Sequence, residues 1–222
     1  LRKIEIYPSI LSADFSCLAD HIAQVEEAGA DGIHLDVMDG HFVPNISFGP
    51  VVVRSIRKTT RLCFWAHLMI ENPGQYLEPF HKAGVDGIFI HPETGDDITA
   101  LSKQIHGLDM EAGVAINPET GVDVIEASLR HFERILVMTV NPGFSGQSFM
   151  AEPLKKIIAL KEITASWSGP PLIEVDGGID VQTAPPTVRA GADALVAGSA
   201  IFGKDDPAAA LKAIRKAAEE AT

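Results

Sequence analysis

Cysteine is scarce: Cys17 and Cys63 are the only two in 222 residues, and neither belongs to a Cys-x-x-Cys pair. A disulfide framework and thiol redox chemistry are thereby excluded, and a reducing compartment fits. Positive charge is also short. Against 30 Asp and Glu there are 18 Lys and Arg, a formal net charge of −12, so no basic stripe exists to neutralise nucleic-acid phosphates. No run approaches the ~18 apolar residues of a membrane span. Linkers, low-complexity tracts and shifts of composition are missing as well, so residues 1–222, 46% apolar, read as one large domain with a substantial core. Position 1 is leucine rather than methionine. The expected location is the cytoplasm, or the plastid stroma if a transit peptide has been removed.

Apolar strand-like runs at 4–10, 32–38, 62–69, 86–91, 110–116, 133–140, 171–176 and 193–197 alternate with amphipathic stretches near 14–28, 48–58, 74–83, 96–106, 120–130, 152–165, 181–190 and 207–220. Ala28-Gly29-Ala30-Asp31, Ala83-Gly84-Val85-Asp86 and Ala190-Gly191-Ala192-Asp193 repeat one helix exit, with glycine in the left-handed cap before a strand. Asn72-Pro73, Glu152-Pro153 and Asp206-Pro207 mark helix starts. Eight strand–helix units of roughly 25 residues predict a (β/α)8 barrel. An open doubly wound sheet would want a glycine fingerprint after the first strand, where Pro8-Ser9-Ile10-Leu11-Ser12 stands instead.

In such a barrel the chemistry sits at the carboxyl ends of the strands. Ser9, Asp36, His67, His91, Asn117, Asn141, Asp176 and Ser199 all fall at or just past those ends. Alternation along a strand puts His34, Asp36 and Met38 on one side, and burying a histidine and a carboxylate there costs stability unless something pairs them. Strands 2 and 7 lie three places apart in a ring of eight, so Asp36 and Asp176 would approach a central ligand from different sides. That suits removing a proton from one face of a carbon and returning it to the other. One divalent cation between them would gather His34, Asp36, His67 and Asp176, a sulfur-free set that fits Zn²⁺, Fe²⁺, Mn²⁺ or Co²⁺ without ranking them. Glycine turns follow strands 6, 7 and 8 (Asn141-Pro142-Gly143-Phe144-Ser145-Gly146, Asp176-Gly177-Gly178 and Ala197-Gly198-Ser199), and the last two point to a bound phosphate, helped by a short helix starting near Ser199. None of the ten lysines ends a strand, which disfavours Schiff-base aldolases.

Taken together, Pro8-Ser9-Ile10-Leu11-Ser12-Ala13-Asp14-Phe15, His34-Leu35-Asp36-Val37-Met38-Asp39-Gly40, His67-Leu68-Met69, Met138-Thr139-Val140-Asn141-Pro142-Gly143-Phe144, Val175-Asp176-Gly177-Gly178-Ile179 and Ala197-Gly198-Ser199-Ala200-Ile201-Phe202 resemble the ribulose-phosphate 3-epimerase family over nearly the whole chain. The resemblance implies a metal on His34, Asp36, His67 and Asp176, with Asp36 and Asp176 as the acid–base pair. It implies sugar contacts from Ser9 and His67, and a substrate and phosphate lining of Gly143, Phe144, Ser145, Gly146, Gly177, Gly178, Gly198 and Ser199. Met38, Met69 and Met138 would collar the reacting carbon, although ordinary core filling explains them nearly as well. A homo-oligomer acting on a small sugar phosphate is implied, with a hexulose-phosphate epimerase or a non-catalytic phosphosugar-binding barrel as alternatives.

Three stretches depart from the family pattern: Ser145 in place of a glycine, proline inside His91-Pro92-Glu93, and the bulky Trp65-Ala66 before His67. None of the three is expected to touch the proposed ligands. Glu174, two residues before Asp176, should face inward with a buried partner that the sequence leaves unnamed.

Overall fold

The structure is a computed structural model that describes residues 3–222. Its strands are β1 (Glu5–Pro8), β2 (Gly32–Met38), β3 (Cys63–Met69), β4 (Gly87–Ile90), β5 (Glu111–Ile116), β6 (Arg134–Met138), β7 (Leu172–Asp176) and β8 (Ala194–Ala197). Between and after them run helices α1 (Leu18–Glu27), α2 (Pro50–Arg57), α3 (Leu77–Ala83), α4 (Ile98–His106), α5 (Asp123–Glu126), α6 (Leu154–Thr164), α7 (Ala184–Ala190), α8 (Ser199–Phe202) and α9 (Pro207–Glu219). All strand pairs are parallel in the order β1-β8-β7-β6-β5-β4-β3-β2. A parallel bridge between Ser9 and His34 closes the ring between β1 and β2, giving the (β/α)8 barrel.

Strand alternation builds two cores. Outward-facing residues such as Ile33, Leu35, Ile88, Val114, Ile135 and Val175 pack against the helices. Inside the barrel, Tyr7, Trp65, Phe89, Leu136, Met138 and Val196 form a separate cluster. The unexpected bulk of Trp65 has its explanation here. Trp65 pairs with Gly87 on β4, and a Cβ at Gly87 would lie 2.6–2.7 Å from the indole ring. Phe89 stands the same way opposite Gly113. Small residues on one strand thus make room for large rings on the next, as close packing of a filled barrel requires.

The three helix-exit glycines take the left-handed conformation, with φ of 95° at Gly29, 90° at Gly84 and 118° at Gly191. The aspartate two residues later extends the ladder to the preceding strand. The Asp31 carboxylate accepts the Ile6 N–H at 2.9 Å, Asp86 accepts that of Phe64 at 2.7 Å, and Asp193 accepts that of Ile173 at 2.8 Å. Each aspartate's own N–H donates back to the carbonyl of the same residue. Glu133, which has no glycine before it, makes the same bracket on Ala112. Every even-numbered strand is therefore immediately preceded by an acid that clamps the strand before it, at the end opposite the strand carboxyl ends.

Asp31 also pairs with Arg215 at 2.7 Å and Lys3 at 2.6 Å. Burial alone would raise its carboxyl, but Lys3, then Arg215 and the Ile6 amide outweigh that and hold it below the usual value. Asp31→Ala should cost about 2 kcal/mol, a fall in Tm of roughly 4–8 °C, with turnover unchanged. Because the folded-state pKa is lowered, this contribution exists above the unfolded value of about 3.9 and fades as pH falls through the folded one, so the deficit should shrink below about pH 4. Thermal melts of both proteins at neutral and acid pH check it.

Candidate functional site

A cavity of about 1020 Å³ opens at the carboxyl ends of the strands. Asp36 at the top of β2 and Asp176 at the end of β7 line it, with Ser9, Met38, Met69 and Met138. His34 sits one pleat below Asp36, and His67 stands beside Asp36 across the β2–β3 register. Both imidazoles are fully buried. One donor atom from each of His34, Asp36, His67 and Asp176 lies within 4.8 Å of the other three. His67 Nδ1 is 3.2 Å from Asp36 Oδ1, and His34 Nε2 is 3.3 Å from that oxygen and 3.4 Å from His67 Nδ1. Asp176 Oδ2 is 3.9 Å from both imidazole nitrogens. Ligand bonds of about 2.0–2.1 Å to a tetrahedral cation imply donor separations of about 3.3–3.4 Å. Two imidazole nitrogens and two carboxylate oxygens at these spacings fit a divalent ion, with Asp176 the loosest of the four.

The surrounding bonds fix the backbone and the ring orientations. Ser47 Oγ donates to the Asp36 carbonyl at 2.6 Å and accepts the Met38 N–H, pinning the top of β2. Ser9 Oγ donates to Asp36 Oδ2 at 2.5 Å. Thr139, fully buried past β6, donates to the carbonyls of Asp176 and Gly177 and so holds the end of β7. The partner of Glu174 is Arg134, whose guanidinium donates to it at 3.0 Å beneath the site and also reaches Tyr7 and Glu5. The other Glu174 oxygen faces His34 Nδ1 at 3.6 Å.

One expectation is corrected here: the His91-Pro92-Glu93 stretch does touch a proposed ligand. His91 Nε2 lies 2.8 Å from His67 Nε2, and His91 Nδ1 lies 3.0 Å from Glu93 Oε2. Strand pairing brings His91, just beyond β4, against β3, which linear spacing does not reveal.

The four ionisable groups are pushed in different directions. Burial would raise Asp36, but His34 and then His67 overcome it and hold the carboxyl far below the usual range. Asp176 is raised to about 7, first by burial and then by the Asp36 charge. Burial opposes protonation of His34, but Asp36 outweighs it and the ring is raised well above its ordinary value. His67 is lowered to about 4, chiefly by burial.

Gly143, Phe144, Ser145 and Gly146 form the loop after β6 along one wall, and Asn45 Nδ2 ties that loop to the loop after β2 through the Gly143 carbonyl at 2.8 Å. Phe144 is 54% exposed, so this wall is open to solvent. Gly177, Gly178, Gly198 and Ser199 form another wall, and Ser199 begins α8, the short helix expected there. At four residues α8 offers free N–H groups more than a substantial macrodipole. Met38 and Met69 join Val43 in a small cluster at the mouth. Asn117 and Asn141 do not line the cavity, and the Asn117 N–H is bound by Glu93. Sequence reasoning passed over three residues. Ser12 Oγ is buried without a hydrogen-bond partner and faces Gly198, Thr139 holds the β7 backbone, and Lys204 is the only lysine or arginine among the residues lining the cavity. The polar residues of Pro8–Ser12 and Met138–Gly143 were the available signal for the first two.

Ionising Asp176 in the buried, metal-free site costs stability. Its folded-state pKa is raised, so that cost grows as pH climbs from about 4 to about 7. Metal-free Asp176→Asn should therefore melt several degrees above the metal-free parent near pH 8. The gap should close near pH 4, as paired thermal melts in chelator will show.

The model of the ribulose-phosphate 3 epimerase family matches residues 5–202. The chain is 47% identical to ribulose-phosphate 3-epimerase of Bacillus subtilis, over 96% of this chain and 98% of that one. Against the chloroplastic ribulose-5-phosphate-3-epimerase of Arabidopsis thaliana it is 46% identical, covering 96% of this chain and 76% of that one. Among solved structures, 3-hexulose-6-phosphate synthase from Salmonella typhimurium superposes with a TM-score of 0.74 at 16% identity, covering 99% of this chain and 100% of that one. KGPDC from Streptococcus mutans gives 0.73 at 14% identity, covering 99% of each chain. At such identities these two structures bear on the fold alone.

Proposed function

The chain belongs to the ribulose-phosphate 3-epimerase family, and on that premise we propose that it interconverts D-ribulose 5-phosphate and D-xylulose 5-phosphate by moving a proton at carbon 3. The observation that carries the mechanism is the opposed pair of carboxyls over one cavity, Asp36 lowered by the neighbouring imidazoles and Asp176 raised by burial and by the Asp36 charge. Two carboxyls whose environments drive their pKa values apart divide into a base and an acid.

The proton at carbon 3 is weakly acidic because it lies beside the ketone. Asp36 removes it, oriented by the Ser9 hydroxyl, and an enediolate forms. Asp176 then delivers its proton to the opposite face of carbon 3, inverting that centre without changing connectivity. The turnover leaves the proton on Asp36 and the charge on Asp176, which is the starting state for the reverse direction. A positioned acid–base group contributes about 10²–10⁴-fold. A divalent cation on His34, Asp36, His67 and Asp176, of the Zn²⁺, Fe²⁺, Mn²⁺ or Co²⁺ class, would add several kcal/mol by stabilising the enediolate charge. Phosphate binding by backbone amides at Gly177, Gly178, Gly198 and Ser199 would spend remote binding energy on orienting the carbon. With a net charge of −12, attraction of an anionic substrate has to be local.

The same reading includes a homo-oligomer, supported by exposed apolar side chains at Phe15, Ile46 and Val51, and a reducing cytoplasmic or stromal location, supported by two free cysteines. Among the described residues no helix is long and apolar enough to cross a membrane. Sedimentation equilibrium checks the oligomer, and a monomeric mass removes it.

Proton NMR in D₂O with D-ribulose 5-phosphate tests the reaction. Xylulose 5-phosphate deuterated at carbon 3 is expected, lost on chelation and restored by a divalent metal. Asp176→Asn should turn over at least about 100-fold more slowly while keeping its fold. Absence of turnover by metal-replete protein overturns the pentulose reading, and near-normal activity of the variant removes Asp176 from the mechanism.

A further inference from the structure

The two proposed ligand histidines are backed differently. His34 turns Nε2 toward the carboxylates, and its Nδ1 faces Glu174 directly. His67 turns Nδ1 toward the carboxylates, and its Nε2 meets a second imidazole instead of an acid. Two nitrogens 2.8 Å apart can share only one proton, so the protonation of one ring dictates that of the other.

The far end of the arm bears on the direction. His91 is fully buried, and its Nδ1 lies 3.0 Å from Glu93 Oε2. The other Glu93 oxygen accepts the Asn117 N–H at 2.9 Å and the Thr120 hydroxyl. Glu93 is therefore an acceptor at every contact, and its Oε2 accepts a hydrogen bond from His91 Nδ1–H. In the tautomer that carries its proton on Nδ1, His91 has a bare Nε2, which accepts from His67 Nε2–H. His67 Nδ1 is then left with a lone pair aimed at the Asp36 and Asp176 carboxyls. The arm is anchored from outside as well: Lys156 Nζ donates at 2.7 Å to the carbonyls of Asn117 and Pro118, which directly follow the N–H that holds Glu93. Phe42 packs against the His91 ring, with centroids 5.0 Å apart.

We propose that His91 and Glu93 are positioning residues for the cation site: through the chain Glu93–His91–His67 they keep the His67 proton on Nε2 and leave Nδ1 free to ligate. The arm couples the loops after β4 and β5 to a ligand on β3, and neither residue lines the substrate cavity. The inference rests on the reading of His67 as a metal ligand. Outer partners of ligating histidines typically alter metal affinity by about 10–100-fold, which sets the scale of the effect.

The test is Zn²⁺ affinity of the stripped full-length chain, measured by competition with a chromophoric chelator, together with the visible absorption spectrum of the Co²⁺-loaded protein. His91→Phe keeps a buried ring and removes the acceptor. It should weaken Zn²⁺ binding at least about 10-fold and alter the Co²⁺ bands. His91→Gln offers an amide oxygen to His67 and an amide N–H to Glu93, and should stay within about 3-fold of the parent. Glu93→Gln should fall between them. Affinity of His91→Phe within about 3-fold of the parent overturns the proposal, as does equal loss in His91→Phe and His91→Gln when both show the parent's circular dichroism. If His91→Phe does not fold, Glu93→Gln decides, and parent-like affinity there overturns the proposal. Failure of the parent itself to bind Zn²⁺ or Co²⁺ removes the ligand reading and this inference with it, whereas a binding parent with unaffected variants removes this inference alone.

Discussion

Two carboxylates and two imidazoles within 4.8 Å of one another, all buried except the partly exposed Asp176, form an arrangement that a protein interior tolerates only when the charges are balanced or held by a cation. Much of the barrel's upper half answers that constraint. Asp36 keeps its charge through His34, His67 and the Ser9 hydroxyl. Asp176, raised first by burial and then by the Asp36 charge, lies farther from the imidazoles, and its carboxyl rises to about 7. The asymmetry between two chemically identical side chains is what the proposed division into base and acid rests on. It follows from their different separations from the same pair of rings.

The lower half supplies the rigid base. Trp65 and Phe89 fill the barrel because Gly87 and Gly113 leave space opposite them. Arg134, lying 4.7 Å over the Trp65 ring and 4.9 Å over Tyr7, carries the charge that balances Glu174 under His34. At the opposite rim, Asp31, Asp86, Glu133 and Asp193 clamp alternate strand pairs. Stability devices thus collect at one end of the strands and chemistry at the other, the division of labour expected of this architecture.

Periodicity made the barrel readable: all eight strands fall within the runs expected from alternation and turn residues, because parallel strands buried on both faces leave long apolar signatures. The residues at strand ends were legible for the same reason, since His34, Asp36, His67 and Asp176 interrupt apolar runs. What linear order hid was contact between strands. His91 reaches His67 only because β3 and β4 are neighbours in register, and Glu174 finds Arg134 from β6, a strand-start residue that by position reads as exposed. Three of the four acid clamps were visible. Three followed a repeated glycine turn, but Glu133 lacked one and went unread.

The proposed base, the proposed acid and the backing of both histidines all depend on a divalent cation held by His34, Asp36, His67 and Asp176. Anomalous-scattering crystallography of metal-replete protein at the absorption edge of its metal addresses that directly. A single strong peak within bonding distance of His34 Nε2, Asp36, His67 Nδ1 and Asp176 is the predicted result. A fully active crystal with no peak there, or with its only peak at another cluster, would contradict it.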